Sequence, residues 1–126
     1  MVEVKNVFKY YGKHRVLNGL SLSISKGEIV SVVGSSGSGK TTLLRILSGL
    51  EIPESGSINL DDVVVNSSDI FIPPEKRNCS LVFQDYALFP NMTMLENIYF
   101  GKGSKNNKEV VSELIRVTNI KNILNK

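Results

Sequence analysis

Apolar and polar residues alternate over residues 2–8 and again over residues 20–24, the period of half-buried antiparallel strands, and SKGE at residues 25–28 supplies a turn after the second. Residues 29–33, IVSVV, break that rhythm. A short, nearly continuous β-branched run of this kind predicts a strand covered on both faces, as in a parallel sheet. A loop made almost only of Gly and Ser follows, and then Leu43, Leu44, Ile46, Leu47 and Leu50 recur at helical spacing, with Gly49 and Pro53 as stop signals. Further on, GSINLDDVVVN predicts a hairpin turning at Asp61 and Asp62, PPEKR a short irregular or helical connector, and residues 80–83 another buried strand. From Thr93, TMLENIYF predicts a helix; GKGSKNN at residues 101–107 reads as a mobile linker, and residues 109–118 as a second helix. There is no internal repeat.

Composition narrows the class. With 126 residues, 41% of them hydrophobic, the chain suits one small soluble globular domain or part of one. The formal charge of +3 is scattered among 12 acidic residues rather than gathered in a basic block, which argues against a nucleic-acid footprint. The opening MVEVKNVFKY lacks the apolar core of a signal peptide, and no apolar run approaches the roughly 18 residues of a membrane span, so a cytosolic protein is expected. Cys79, inside CSLVF, reads as a small buried strand residue, with a reactive thiol as the alternative. The Asn-x-Ser/Thr triplets starting at Asn66, Asn78 and Asn91 are chance matches in a chain without an export signal.

The glycine-serine loop carries the chemistry. Gly34, Gly39, Lys40 and Thr41 fit G-x-x-x-x-G-K-[ST], in which a glycine-rich backbone curls so that successive N–H groups point at phosphate oxygens. Small side chains at Ser35, Ser36, Gly37 and Ser38 let the backbone approach closely. Lys40 would reach the β and γ phosphates of a nucleotide, Thr41 would present its hydroxyl oxygen to Mg²⁺, and the helix starting near Lys40 would aim its positive end at the same anion. A flexible Gly/Ser linker is the alternative, and it leaves the flanking apolar run and helical pattern unexplained.

Two longer stretches, YYGKHRVLNGLSLSISKGEIVSVVGSSGSGKTTLLRILSGLEIPESGSI and PPEKRNCSLVFQDYALFPNMTMLENIYFG, resemble the ATP-binding subunit of an ABC transporter, of the importer type that includes iron(III), sulfate, polyamine and sugar systems. The resemblance covers nearly everything up to about Gly101 and implies an α/β fold: a P-loop NTPase core with an antiparallel β subdomain, truncated in the helical subdomain. On this reading residues 1–90 are the ATP-binding core, with the phosphate loop at 34–42, through Thr42, and the Q-loop near 84; residues 91–126 start the helical subdomain. Tyr11, just before Gly12, matches the family's adenine-stacking aromatic, against the alternative of an ordinary strand-end tyrosine; Tyr10 reads as structural. Gln84 matches the Q-loop glutamine, which resembles a ligand of Mg²⁺ and water that also senses the permease. Tyr86, Ala87, Leu88, Phe89 and Pro90 form an apolar stretch that resembles part of the groove receiving an integral membrane permease, the alternative being a loop folded back on its own core.

Several family features have no counterpart here. No strand after Gln84 ends in Asp-Glu, LSGL at residues 47–50 lacks the rest of the family's signature, and the only histidine, His14, precedes the phosphate loop. The chain therefore reads as the N-terminal half of such a subunit, peripheral on the cytoplasmic face of the membrane. The intact form would bind ATP and Mg²⁺, pair with a second ATP-binding subunit, and couple ATP hydrolysis to solute import, with an extracytoplasmic solute-binding protein as an indirect partner. Residues 1–126 alone are not expected to hydrolyse ATP. A nontransport ABC ATPase, a truncated nucleotide-binding module without turnover, and a soluble nucleotide kinase are the alternatives.

Overall fold

The computed structural model describes residues 1–85, 87–101 and 107–125. The chain divides into two compact units, Met1–Leu81 and Val82–Lys126.

The first unit is built on a four-stranded antiparallel sheet of order β2-β1-β3-β4, from β1 (Val2–Tyr11), β2 (His14–Ile24), β3 (Ser55–Leu60) and β4 (Val63–Asn66). Both hairpins use two-residue turns. Gly12, at φ 60°, takes the first turn position between Tyr11 and His14, and Asp61, at φ 52°, leads the predicted turn at Asp61 and Asp62. Strict alternation would put Val4 and Val7 on opposite faces of β1, yet both are buried in one core. A register irregularity between them, with Asn6 at φ 50°, resets the phase so that both point inward. Gly56 on β3 lies against this bulge: a Cβ there would come within 2.6 Å of the Asn6 carbonyl oxygen, so the bulge leaves no room for a side chain.

Helix α1 (Lys40–Ser48) covers the core through Ile46, packed among Val4, Val7, Leu17, Ile58, Leu60 and Val65 of the strands. It ends as predicted. Gly49 adopts φ 81°, its N–H donates to the Ile46 carbonyl at 3.1 Å, and the Leu50 N–H donates to the Arg45 carbonyl at 2.9 Å, a Schellman ending. After β4, Pro74–Lys76 makes one 3-10 turn, the helical form of the expected connector.

Arg77, which follows this turn, is a residue that pattern reading missed. Its buried guanidinium donates to the carbonyls of Ile46 at 2.8 Å and Leu47 at 2.9 Å, of Ile72 at 2.6 Å and of Val65 at 3.3 Å, and it lies over the Phe71 ring. The carbonyls of Ile46 and Leu47 belong to the last turn of α1, where a helix has unpaired acceptors and a negative pole. Burial lowers the pKa of the guanidinium, but arginine stays charged.

Two expected strands are absent. Residues 29–33 and 80–83 belong to no strand, and their apolar side chains are largely open: Ile29 is 97% exposed, Val33 87% and Val82 90%. A strand covered on both faces needs neighbouring strands to accept its N–H and C=O groups and helices to cover it, and among the described residues none pairs with either run. Cys79 is likewise exposed rather than a buried strand residue, because the run that was to bury it forms no strand.

In the second unit, α2 (Met94–Phe100) opens with a capping box. The Glu96 N–H donates to Thr93 Oγ1 at 3.2 Å, and Thr93 N–H donates to Glu96 Oε2 at 2.8 Å. Asn97 pins the preceding loop: its Nδ2 donates to the carbonyls of Phe89, Met92 and Thr93, and its Oδ1 accepts from the Phe89 N–H. Helix α3 (Lys108–Thr118) matches the second predicted helix, and Leu95 N–H donates to the Leu124 carbonyl at 3.0 Å. Residues 102–106 of the expected linker lie outside the described residues.

Arg77→Met, which leaves buried carbonyls without a donor, lowers stability by about 2–4 kcal/mol, and Arg77→Lys, which keeps the charge but not the planar fork, loses about half as much; urea midpoints at an unchanged slope measure both. The Glu96 carboxyl is held below its ordinary value by hydrogen bonds from the Thr93 backbone and then the Thr93 hydroxyl. A depressed carboxylate pKa stabilises above the unfolded value of 4.5 and loses that effect as pH falls through the folded value, so α2 frays on acidification. Carbon-13 titration of Glu96 shows the shift, and Thr93→Ala removes it.

Candidate phosphate-binding site

The loop between the exposed run and α1 uses its three glycines for three different reasons. At Gly34 the need is space, since a Cβ would come within 2.7 Å of Ser38 Oγ and the hydroxyl would have to turn away. At Gly37 the need is conformation: φ is 79°, and the space a Cβ would take is open. Gly39 requires both: φ is 92°, and a Cβ would lie 2.9 Å from Leu17 Cδ2 and 3.0 Å from the Val16 carbonyl oxygen. Gly39 therefore seats the loop on β2 and starts α1 in one step.

Gly39 is also the N-cap of α1, and no side chain caps the helix. The first intrahelical bond runs from the Leu43 N–H to the Gly39 carbonyl at 2.8 Å. The helix thus starts with its positive pole beside the loop. Lys40 Nζ closes over the same loop, donating to the carbonyls of Gly34 at 2.9 Å and Ser35 at 2.7 Å, with Ser38 Oγ at 3.4 Å. A cavity of about 300 Å³ lies here, lined by Leu17, Leu20, Val33, Gly34, Lys40 and Leu43. Ser35, Ser36 and Ser38 are exposed around the loop, and Thr41 is exposed on the first turn of α1.

Thr42 is the buried member of the pair of threonines, and its Oγ1 lies 3.4 Å from the Tyr11 hydroxyl. The end of β1 therefore meets the start of the phosphate-loop helix, a contact that motif spacing did not anticipate. Half of the Tyr11 surface stays open, with Lys9 Nζ over the ring at 5.6 Å from its centre. Tyr10 has its own cation, the Arg15 guanidinium at 5.5 Å, which fits its structural reading.

Gln84 belongs to the second unit, exposed in a turn. In the same unit Ala87, Leu88, Phe89 and Pro90 are exposed, with Ala87 at φ 47° and the Phe89 ring 4.4 Å from that of Phe100; Tyr86 lies outside the described residues. Among the described residues no group of three or more His, Cys, Asp or Glu side chains could hold a metal. Thr41, exposed on the first turn of α1, offers one hydroxyl oxygen, and Mg²⁺ bound with a nucleotide asks for no more than one or two protein groups, because this ion keeps several waters and takes its other oxygens from phosphates.

Comparison with known proteins identifies the site's family. The sequence profile of the ABC transporter family matches residues 17–126. The chain belongs to that family. It is 46% identical over 101 residues to the spermidine/putrescine import ATP-binding protein PotA of Haemophilus influenzae, covering 80% of this chain and 26% of that protein. The sulfate/thiosulfate import ATP-binding protein CysA of Pectobacterium atrosepticum is 49% identical over 100 residues, 79% of this chain and 29% of its own length. PotA of Bacillus cereus is 42% identical over 125 residues, 95% of this chain and 37% of its own length. Among solved structures, the dimeric, post-hydrolysis ATP-binding cassette MJ0796 bound to ADP and Pi superposes with a TM-score of 0.75 at 26% identity, over 99% of this chain and 60% of that one. The chain spans between about a quarter and two fifths of the length of these curated relatives. The α/β assignment, with its antiparallel β subdomain and a P-loop core of which only part is present, accords with the cassette fold.

The contact between Tyr11 and Thr42 is open to test by a double-mutant cycle of Tyr11→Phe and Thr42→Val. At 3.4 Å between hydroxyls each change costs about 0.5–1 kcal/mol of stability, and the pair costs less than the sum; chemical denaturation of the four proteins measures the coupling.

Proposed function

We propose that this chain forms the nucleotide-gripping part of an ATP-binding subunit that, in the whole protein, couples ATP hydrolysis to solute import. The observation that supports it most is the loop of Gly34, Gly37 and Gly39 running into the uncapped start of α1 with Lys40 folded over it. A polyphosphate entering this loop would exchange with the Gly34 and Ser35 carbonyls for the Lys40 ammonium, while N–H groups of the loop and helix start take its oxygens.

Thr41 is the residue that would hold Mg²⁺ in the first unit, and Gln84 is its proposed second protein ligand in the intact subunit. The ion, when bound, neutralises charge on the β and γ phosphates. Tyr11 would stack on the adenine, its hydroxyl tied to Thr42 and about half of its surface open. Residues 1–90 would then serve as the ATP-binding core and residues 91–126 as the start of a helical subdomain.

The relatives named above are import ATP-binding proteins, which favours a membrane permease as partner and a peripheral place on the cytoplasmic face. The exposed Leu88 and Phe89, together with Tyr86, Ala87 and Pro90, are the proposed seat for the permease. No helix among the described residues is long and apolar enough to cross a membrane. The dimeric state of the ADP-bound cassette supports pairing with a second ATP-binding subunit. The relatives named here differ in solute, polyamine in one case and sulfate or thiosulfate in the other, so the solute is assigned to other parts of the transporter.

Calorimetry with ATP and AMP tests the grip. Lys40→Ala weakens ATP far more than AMP, because it removes charge from the β and γ phosphates, whereas Tyr11→Ala weakens both by about 1–3 kcal/mol. Equal loss of ATP and AMP in the Lys40 variant contradicts the assignment.

A further inference from the structure

The Tyr11 ring is not held by apolar packing alone. Lys9, two residues earlier on β1, places its Nζ over that ring, 5.6 Å from the centre, and its side chain is only 11% exposed. The ammonium is fixed on its other sides by the segment that follows α1. It donates to the Ile52 carbonyl at 2.7 Å, lies 3.3 Å from Glu54 Oε1 and 3.4 Å from Glu51 Oε1. Glu54 is itself locked to β1, since its Oε2 accepts from the Tyr10 N–H at 3.0 Å and its N–H donates to the Phe8 carbonyl at 3.0 Å. Tyr11 is thus reached from both ends of α1: its hydroxyl by Thr42 in the first turn, and its ring by a lysine anchored just after the last.

We infer that Lys9 is a positioning residue for the nucleobase, setting the orientation in which Tyr11 offers its free face. This rests on the adenine role proposed for Tyr11. A cation over a phenol ring is attracted by the negative face of the π system, most strongly when partly withdrawn from water. An ammonium with three donors fixed by a carbonyl and two carboxylates has little freedom to follow the ring, so the ring is held by the lysine. The remaining open surface of Tyr11 is then presented in one pose, and less rotamer freedom is lost when a flat ligand stacks on it. Lys9 makes no contact with the phosphate loop in this arrangement, so its effect is confined to the base.

That separation sets the test. Binding of ATP and of inorganic tripolyphosphate, which has the phosphates but no base, is measured by calorimetry on the full chain. Lys9→Met lowers ATP affinity about 3- to 30-fold and leaves tripolyphosphate within twofold. Lys9→Arg, which keeps the cation, restores ATP to within about threefold. Combining Lys9→Met with Tyr11→Ala weakens ATP no further than Tyr11→Ala alone. Should Lys9→Met fail to fold, Lys9→Gln, which keeps an amide donor for Ile52, carries the same comparison. Unchanged ATP affinity in the neutral variants, or an equal loss of tripolyphosphate, overturns the inference while leaving the adenine role intact. If Tyr11→Ala itself leaves the ratio of ATP to tripolyphosphate unchanged, the adenine role fails and this inference falls with it.

Discussion

A single guanidinium joins helix α1 to the sheet beneath it. Arg77 donates to two carbonyls in the last turn of α1 and to the carbonyls of Val65 and Ile72, so strand β4, the segment after it and the helix share one buried charge. The arrangement matches the chemistry of both sides, because a helix C-terminus has acceptors without donors and a negative pole, and arginine has five donors and no acceptor. Gly49 belongs to the same device. A Cβ at that position would lie 2.6 Å from Arg77 Nε, so the residue that ends the helix is also the one that lets the guanidinium reach it.

The position of α1 matters because its first turn carries the phosphate loop. Gly39 rests on Val16 and Leu17 of β2, Thr42 touches Tyr11 at the end of β1, and Ile46 fills the centre of the core. The helix is nine residues long, shorter than helices that are stable in isolation, so these tertiary contacts and the Arg77 anchor are what hold it. The loop in turn has few side chains to pack and depends on where the helix begins. Lys9 and its acidic partners add a second connection from the helix exit back to Tyr11, so Tyr11 and the glycine-rich loop are both tied to the same short helix.

The exposed runs at residues 29–33 and 80–83 show the opposite condition. Their β-branched and aromatic residues have strand propensity, but propensity alone does not satisfy a row of backbone donors and acceptors. In the described residues the antiparallel sheet is made of two hairpins, β1–β2 and β3–β4, joined where β1 pairs with β3, and it forms while these two runs remain unpaired. Cys79 shares their exposure for the same reason.

What the sequence determined by itself is local. The G-x-x-x-x-G-K-[ST] spacing, the helix stop at Gly49, the hairpin at Asp61 and Asp62, the turn after Pro73 and the two later helices all depend on residues close together in the chain, and the stop, the hairpin, the turn and the helices are present in the fold. The phase change in β1 was not legible, because the bulge at Asn6 is made possible by a glycine fifty residues away on β3. Nor were the partners of Arg77, Lys9 and Thr42, since nothing in PPEKR distinguishes Arg77 from Lys76 until helix α1 lies within reach. Tertiary structure alone decided these, and it alone decided which apolar runs became strands, because pairing and burial require neighbours that local sequence does not supply.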